Sequence, residues 1–285
     1  MKPLDFTGKW ILITGASSGL GREMAYQLAK KHSANLILLA RRAELLDEIQ
    51  QELERGGIHV ETWAVDLSEP VQVEAVTRRI IESGKLDGAI LNAGITYFGR
   101  HTELTDADFD RIIQVNIKSV TYMTTQLVRY FEDRAPREGV PPGGSHSAQP
   151  GAIMLVSSMA AFLPTPYQAV YSATKAFLVN FANALQFELR NPGLSITVFA
   201  PGGIATEMTR GHKFDALRGW LMPVEQAARI GLRAFQRRKY NAVPGLSNKA
   251  GFVLAHLLPR KFLVGQLGKT YGKALDAAQA RPKEG

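Results

Sequence analysis

Short apolar runs recur along the chain: WILIT (10–14), NLILLA (35–40), HVETWAV (59–65), LDGAIL (86–91), AIMLVS (152–157) and SITVFA (195–200). Most do not alternate polar with apolar positions. Strands that are apolar on both faces belong in a parallel sheet covered by helices on both sides. Helical spacing of apolar residues fills the gaps, in GREMAYQLAKK (21–31), AELLDEIQQELER (43–55) and PVQVEAVTRRIIE (70–82), the last announced by Ser68, Glu69 and Pro70. A further helix is expected to begin at a capping box, Thr105 with Asp108, and to run through Phe109, Ile112 and Ile113. Strand and helix in alternation predict an α/β fold, a doubly wound parallel sheet with right-handed crossovers.

Length limits the number of such units. The chain has 285 residues, 45% of them hydrophobic, enough for one large α/β domain with appendages. Residues 1–207 are read as the α/β unit proper, 208–243 as its end together with a lid, and 244–285 as a basic amphipathic extension. The Pro- and Gly-rich stretch 134–151 reads as a mobile loop, entering a strand at the edge away from where such sheets bind ligands. There is no cysteine, which excludes disulfides, thiolate nucleophiles and sulfur-bound zinc and fits a reducing compartment. No run approaches the roughly 18 apolar residues of a membrane span, so a cytoplasmic protein is expected.

Charge is unevenly spread. Of a net +8, residues 210–285 carry 15 Lys/Arg against 4 Asp/Glu, and residues 1–209 carry 19 against 22. The tail lacks zinc-finger spacing and interleaved basic and aromatic positions, so nucleic acid is not expected as a partner. In 244–275, Phe252, Leu254, Leu257, Leu258, Phe262, Leu263 and Leu267 mix with Arg260, Lys261, Lys269 and Lys273. That mixture suits an anionic membrane surface, and equally a helix packed on the substrate lid or on a partner subunit.

Residues with chemistry collect at the strand ends, where open α/β sheets bind ligands. TGASSGLG places Gly15, Ser17, Ser18, Gly19, Leu20 and Gly21 between the first strand and its helix, a turn whose N–H groups can approach a pyrophosphate. About 20 residues later, where an acidic residue would hold a ribose hydroxyl of NAD, stand Ala40, Arg41 and Arg42. Cations at a helix N-terminus oppose its dipole, and a phosphate between them reverses the sign. Arg41, with Arg42 or Ser17, is therefore expected to bind the 2′-phosphate of NADP. Further on, VYSATKAF places Tyr171 and Lys175 one helical turn apart amid apolar residues, able to point into one pocket. The six histidines show no ligand spacing, and no metal site is assigned.

TGASSGLG, the NAG of 92–94, Asn116 in QVNIKS, Ser158 in VSSMAA, YSATK and PGGIAT of 201–206 together resemble the short-chain dehydrogenases/reductases, over roughly residues 7–207. The resemblance implies a Rossmann fold, with 1–207 as the dinucleotide-binding and catalytic domain and a substrate lid in 208–243, a nicotinamide cofactor, and hydride exchange between a carbonyl and an alcohol; with the two arginines the cofactor is read as NADP(H). It makes Tyr171 the general acid/base, Lys175 its partner and a ribose ligand, Ser158 the hydroxyl that orients the carbonyl, and Asn116 part of a proton relay. It also puts Asp66 and Leu67 by the adenine, Asn92, Ala93 and Gly94 beside the cofactor, and Pro201, Gly202, Ile204 and Thr206 around the nicotinamide. In this reading the Lys175 ammonium draws the phenol toward ionisation at neutral pH, in surroundings that exclude water.

The segments bordering the nicotinamide would be ITYFG (95–99), MAAFLPTPYQ (159–168) and the region with Met208, Phe214, Leu217, Trp220, Leu221 and Met222. They are mostly apolar and favour a hydrophobic, lipid-like or polycyclic carbonyl or alcohol as substrate. Phe177, Leu178, Phe181, Leu185 and Phe187 make the helix after Tyr171 apolar on more than one side, which with the resemblance predicts a homodimer or homotetramer. The alternative is a non-catalytic NADP-binding sensor or scaffold on the same fold.

Overall fold

The computed structural model describes residues 1–134, 151–190, 193–209, 221–245, 248, 251–253 and 257–279. Its strands are β1 (Trp10–Thr14), β2 (Asn35–Ala40), β3 (Val60–Ala64), β4 (Leu86–Leu91), β5 (Ala152–Val156), β6 (Ser195–Phe199) and β7 (Asn241–Ala242). They form one seven-stranded sheet in the order β3-β2-β1-β4-β5-β6-β7, every neighbouring pair parallel. The predicted doubly wound sheet is therefore present.

Helices α1 (Gly19–His32), α2 (Ala43–Glu54), α3 (Pro70–Glu82), α4 (Asp106–Ile113), α5 (Ser119–Asp133), α6 (Ala169–Glu188), α7 (Val224–Gln236) and α8 (Arg260–Gln279) connect or follow the strands. Period-two alternation sends neighbouring strand residues to opposite faces. Ile11 and Ile13 join Leu28 of α1 and Leu232 and Phe235 of α7 in one apolar layer. Leu12 lies on the other face, with Val76 and Ile80 of α3, Leu127 of α5 and Leu178 of α6. Fully burying each such side chain is worth about 1.5–3 kcal/mol, which is why the strands need no polar positions.

Thr105 caps α4 as expected, its Oγ1 accepting from the Asp108 N–H at 3.1 Å, while the Asp108 carboxylate accepts from the Thr105 hydroxyl at 2.9 Å and not from its N–H, so the box is half formed. Between α4 and α5 the helix widens over Gln114–Lys118, where the Ser119 N–H donates to the Gln114 carbonyl five residues back. Strand β7 has no apolar run to announce it. It forms because the end of α7 delivers it to the sheet edge, where Val198 N–H donates to Tyr240 O and Ala200 N–H to Ala242 O, both at 2.9 Å. The loop expected over 134–151 lies outside the described residues except at its two ends.

Candidate active site

The chain order reverses across β1, which has β2 on one side and β4 on the other. Crossovers leave a crevice at such a point, beyond the carboxyl ends of the strands. A cavity of about 430 Å³ lies there. Gly15, Ser17, Ser18, Gly19, Leu20, Arg41, Arg42, Asp66, Leu67, Asn92, Ala93, Gly94, Ser158, Tyr171, Lys175, Pro201, Gly202, Ile204 and Thr206 all line it. Gly21 and Asn116 are not among the lining residues and stand directly behind them.

The turn after β1 shows what Gly21 does. Gly15 has a φ of 67° and Gly19 of 56°, which favour glycine, and a Cβ on Gly15 would come within 3.0 Å of Ala93 Cα. At Gly21 an added Cβ would run into the Gly15 carbonyl oxygen, so this glycine seats α1 against the turn. The turn is fastened from the other side. Thr14 Oγ1 accepts from the N–H groups of Asn92 and Ala93, each at 3.0 Å, and Asn92 Nδ2 donates to the Thr14 carbonyl at 3.0 Å. The Asn92 amide thus holds the cradle. Ser18 precedes α1 without capping it, leaving the first N–H groups of the helix toward the cavity.

At the far end, α2 begins at Ala43, so Arg41 and Arg42 do stand before a helix N-terminus. Arg42 donates to Ser17 Oγ at 3.2 Å and pairs with Glu207 at 3.2 Å across the cleft. Glu207 has no counterpart in the sequence reading, since nothing local links it to a position 165 residues earlier. Both side chains are about half exposed, and such a pair is worth roughly 0–1 kcal/mol, so an anion of higher charge can displace the carboxylate. Burial pushes the Asp66 carboxyl up, but hydrogen bonds from the Ser68 N–H and hydroxyl and the charges of Arg41 and Arg111 outweigh it, leaving Asp66 below its ordinary value.

Tyr171 and Lys175 share one face of α6, and the Lys175 ammonium lies 5.6 Å from the centre of the tyrosine ring. Lys175 is 3% exposed and donates to the Val156 carbonyl at 3.0 Å. Burial pulls its pKa from 10.5 down to about 8. The Tyr171 hydroxyl is hydrogen-bonded with Ser158. Its pKa is raised by burial, against the lowering effect of that bond. Desolvation is the leading cause of the shift in both groups, and one of the three ammonium donors is held by the strand carbonyl. Ser158 Oγ also accepts from the Ala160 N–H at 3.2 Å, so it serves a backbone turn and the phenol together.

Asn116 is fully buried behind the cavity wall in the widened turn. Its Oδ1 accepts from the Ile95 N–H, and its Nδ2 donates to the Ile95 carbonyl, both at 2.9 Å, and to Thr174 Oγ1 at 3.1 Å. It fixes the strand-end segment to α6 and does not reach the cavity. Gly94 completes the fit: a Cβ there would lie 3.1 Å from Lys175 Nζ and 3.4 Å from Asn116 Oδ1.

The opposite part of the cavity is bounded by Ile95, Met159, Leu163 and Leu221, as the sequence predicts, together with Leu267 and Tyr271 of α8. Met222 does not border it, since it packs against the core on the α7 side. Phe214, Leu217, Trp220, Leu254 and the side chain of Met208 lie outside the described residues. Of the readings left open for the tail, α8 packs over the cleft: Ala274 and Leu275 are buried with Phe98, and Tyr271 lies against that cluster. In the sequence Tyr271 is marked only by the four-residue stripe of a buried helix face that it forms with Leu267 and Leu275.

Residues 9–215 match the family model of the short chain dehydrogenases. The chain is similar to a 17-beta-hydroxysteroid dehydrogenase type 3 of Mus musculus, 32% identical over 206 residues, 71% of this chain and 62% of that one. It is also similar to 11-beta-hydroxysteroid dehydrogenase-like 2 of Arabidopsis thaliana, 36% identical over 218 residues, 73% of this chain and 64% of the relative. It thus spans about three-fifths of the length of these relatives. Among solved structures, a short-chain dehydrogenase from Sphingobium yanoikuyae in complex with NADPH superposes with a TM-score of 0.76 at 26% identity, over 97% of this chain and 99% of that one.

Proposed function

Because the chain belongs to the short-chain dehydrogenase family, we propose that it is an NADP(H)-dependent oxidoreductase acting on the carbonyl or alcohol of a bulky apolar substrate, steroid-like in size. One observation carries the reading. Tyr171, hydrogen-bonded with Ser158, and Lys175 open into the same cavity as the glycine turn and the two arginines.

The residues fit such a cofactor. Gly15 to Leu20 offer backbone N–H groups at the start of α1 to a pyrophosphate, in a cradle that side chains at Gly15 and Gly19 would fill. Arg41 and Arg42 offer two cations to a 2′-phosphate, with Glu207 giving way. When bound, the cofactor supplies the hydride to the carbonyl carbon or accepts it from the alcohol. As negative charge grows on the carbonyl oxygen, Tyr171 gives its phenolic proton to that oxygen, and the Ser158 hydroxyl orients the same atom. The phenolate left behind is stabilised by the Ser158 hydrogen bond and by the Lys175 ammonium across low-dielectric surroundings. Asn116 acts at one remove by holding Ile95 to α6.

The apolar wall and the names of the two relatives support the substrate class. A sensor or scaffold would gain nothing from keeping a desolvated ammonium beside a phenol on the cleft wall. Exposed Phe177 and Phe187 on α6, the latter 92% exposed, support self-association. Val253, Leu257 and Phe262 are exposed beside Arg260 and Lys261 and support contact with an anionic lipid surface. Among the described residues no helix is long and apolar enough to cross a membrane. NADPH oxidation with a panel of bulky apolar ketones tests the reading. Turnover by the wild type and its loss in Tyr171→Phe, with NADPH affinity kept, are expected; normal turnover by that variant would refute the mechanism.

A further inference from the structure

The cavity wall carries polar groups that the proposed reaction does not use. Gln168 is the residue immediately before α6 and Tyr171 lies in that helix's first turn, and both line the cavity. Its Nε2 donates to Thr96 Oγ1 at 3.0 Å, which fixes the amide and leaves its carbonyl oxygen and second N–H for another partner. Thr96, Gln168 and Tyr271 line the cavity together with Tyr171.

Tyr271 belongs to α8, beyond the residues that match the family model. Its ring centre lies 5.9 Å from that of Phe98, in a cluster anchored by Ala274 and Leu275 at 1% and 4% exposure. On the same helix Gly272 approaches Tyr167 so closely that a Cβ would lie 3.1 Å from the phenol oxygen. Tyr167 has a φ of 64°, unfavourable for a bulky side chain and maintained only where the surroundings hold it. Packing of α8 against Tyr167 thus fixes the residue next to Gln168. Ile95, Leu163, Leu221 and Leu267, which line the same cavity, are apolar. Hydrogen-bonding groups set in such a wall discriminate strongly, because a ligand that cannot meet them leaves them desolvated and unpaired.

We propose that Gln168, steadied by Thr96, and Tyr271 form a second polar subsite that recognises an oxygen of the substrate other than the reacting one. The substrate class is then narrowed to apolar polycycles with two oxygens, hydroxyketones or diketones. The inference rests on the oxidoreductase reading only for which oxygen reacts.

The test compares a saturated steroid monoketone with derivatives carrying one hydroxyl at successive ring positions, titrated by calorimetry into protein saturated with NADP⁺. At least one derivative should bind roughly tenfold more tightly than the parent, and Gln168→Leu and Tyr271→Phe should each remove about twofold to tenfold of that preference. Equal affinity of the wild type for the parent and every derivative would overturn the subsite even if all are reduced. So would a preference that survives both substitutions combined. The wild-type comparison needs no variant, so a substitution that misfolds does not blunt the test. Preferential binding of a derivative without reduction of any ketone would uphold the subsite and refute the oxidoreductase reading.

Discussion

Replacing Lys175 with methionine should abolish turnover while changing stability in a way that depends on pH. In the fold the lysine holds its proton only to about pH 8, against 10.5 when solvated, because burial penalises the charge. Between those values the unfolded chain binds more protons than the folded one, so wild-type stability rises with pH through that window. Below it the fold carries the full cost of a buried ammonium, about 3 kcal/mol at pH 7, falling to about 1 kcal/mol at pH 10. Methionine keeps the length and apolar stem but leaves the Val156 carbonyl without its donor, at a pH-independent cost of about 1–3 kcal/mol. Lys175→Met should therefore be close to wild-type stability or above it at pH 7, and clearly below it at pH 10. Urea denaturation of both proteins from pH 7 to 10 reads the difference, in which titrating groups remote from Lys175 cancel. A stability difference that stays flat across that range would refute a desolvated ammonium.

Arg41→Asp should shift preference from NADPH toward NADH, read as the ratio of kcat/KM values. An unchanged ratio would count against the phosphate assignment. Gly21→Ala should cost roughly 1–3 kcal/mol and weaken NADPH binding, because the new Cβ runs into the Gly15 carbonyl oxygen and must displace the turn. Thermal unfolding and NADPH titration check it, with no change in either as the contrary result. Flotation with anionic vesicles at low salt should carry the protein upward, and Phe262→Asp should reduce the floated fraction. Absence of binding by the wild type would remove the membrane contact.

Much of the architecture follows from local pattern. Uninterrupted apolar runs such as NLILLA and AIMLV dictate strands covered on both faces, and the glycines and arginines at their ends mark the ligand edge because strand direction is the same throughout a parallel sheet. The i, i+4 spacing of Tyr171 and Lys175 likewise determined that they share a helix face. Tertiary structure decided what each polar group does there. Asn92 and Asn116 turn their amides to backbone, Gly21 meets a carbonyl, and Arg42 meets Glu207, all through contacts spanning tens of residues or more, or through a packing distance that spacing does not encode. The protonation of Tyr171 and Lys175 also waited on the fold, because desolvation depends on everything packed around a group and not on its neighbours in the chain. The same holds for α8, whose basic and apolar residues suit several surfaces until Phe98 and Tyr167 give its inner face a place over the cleft.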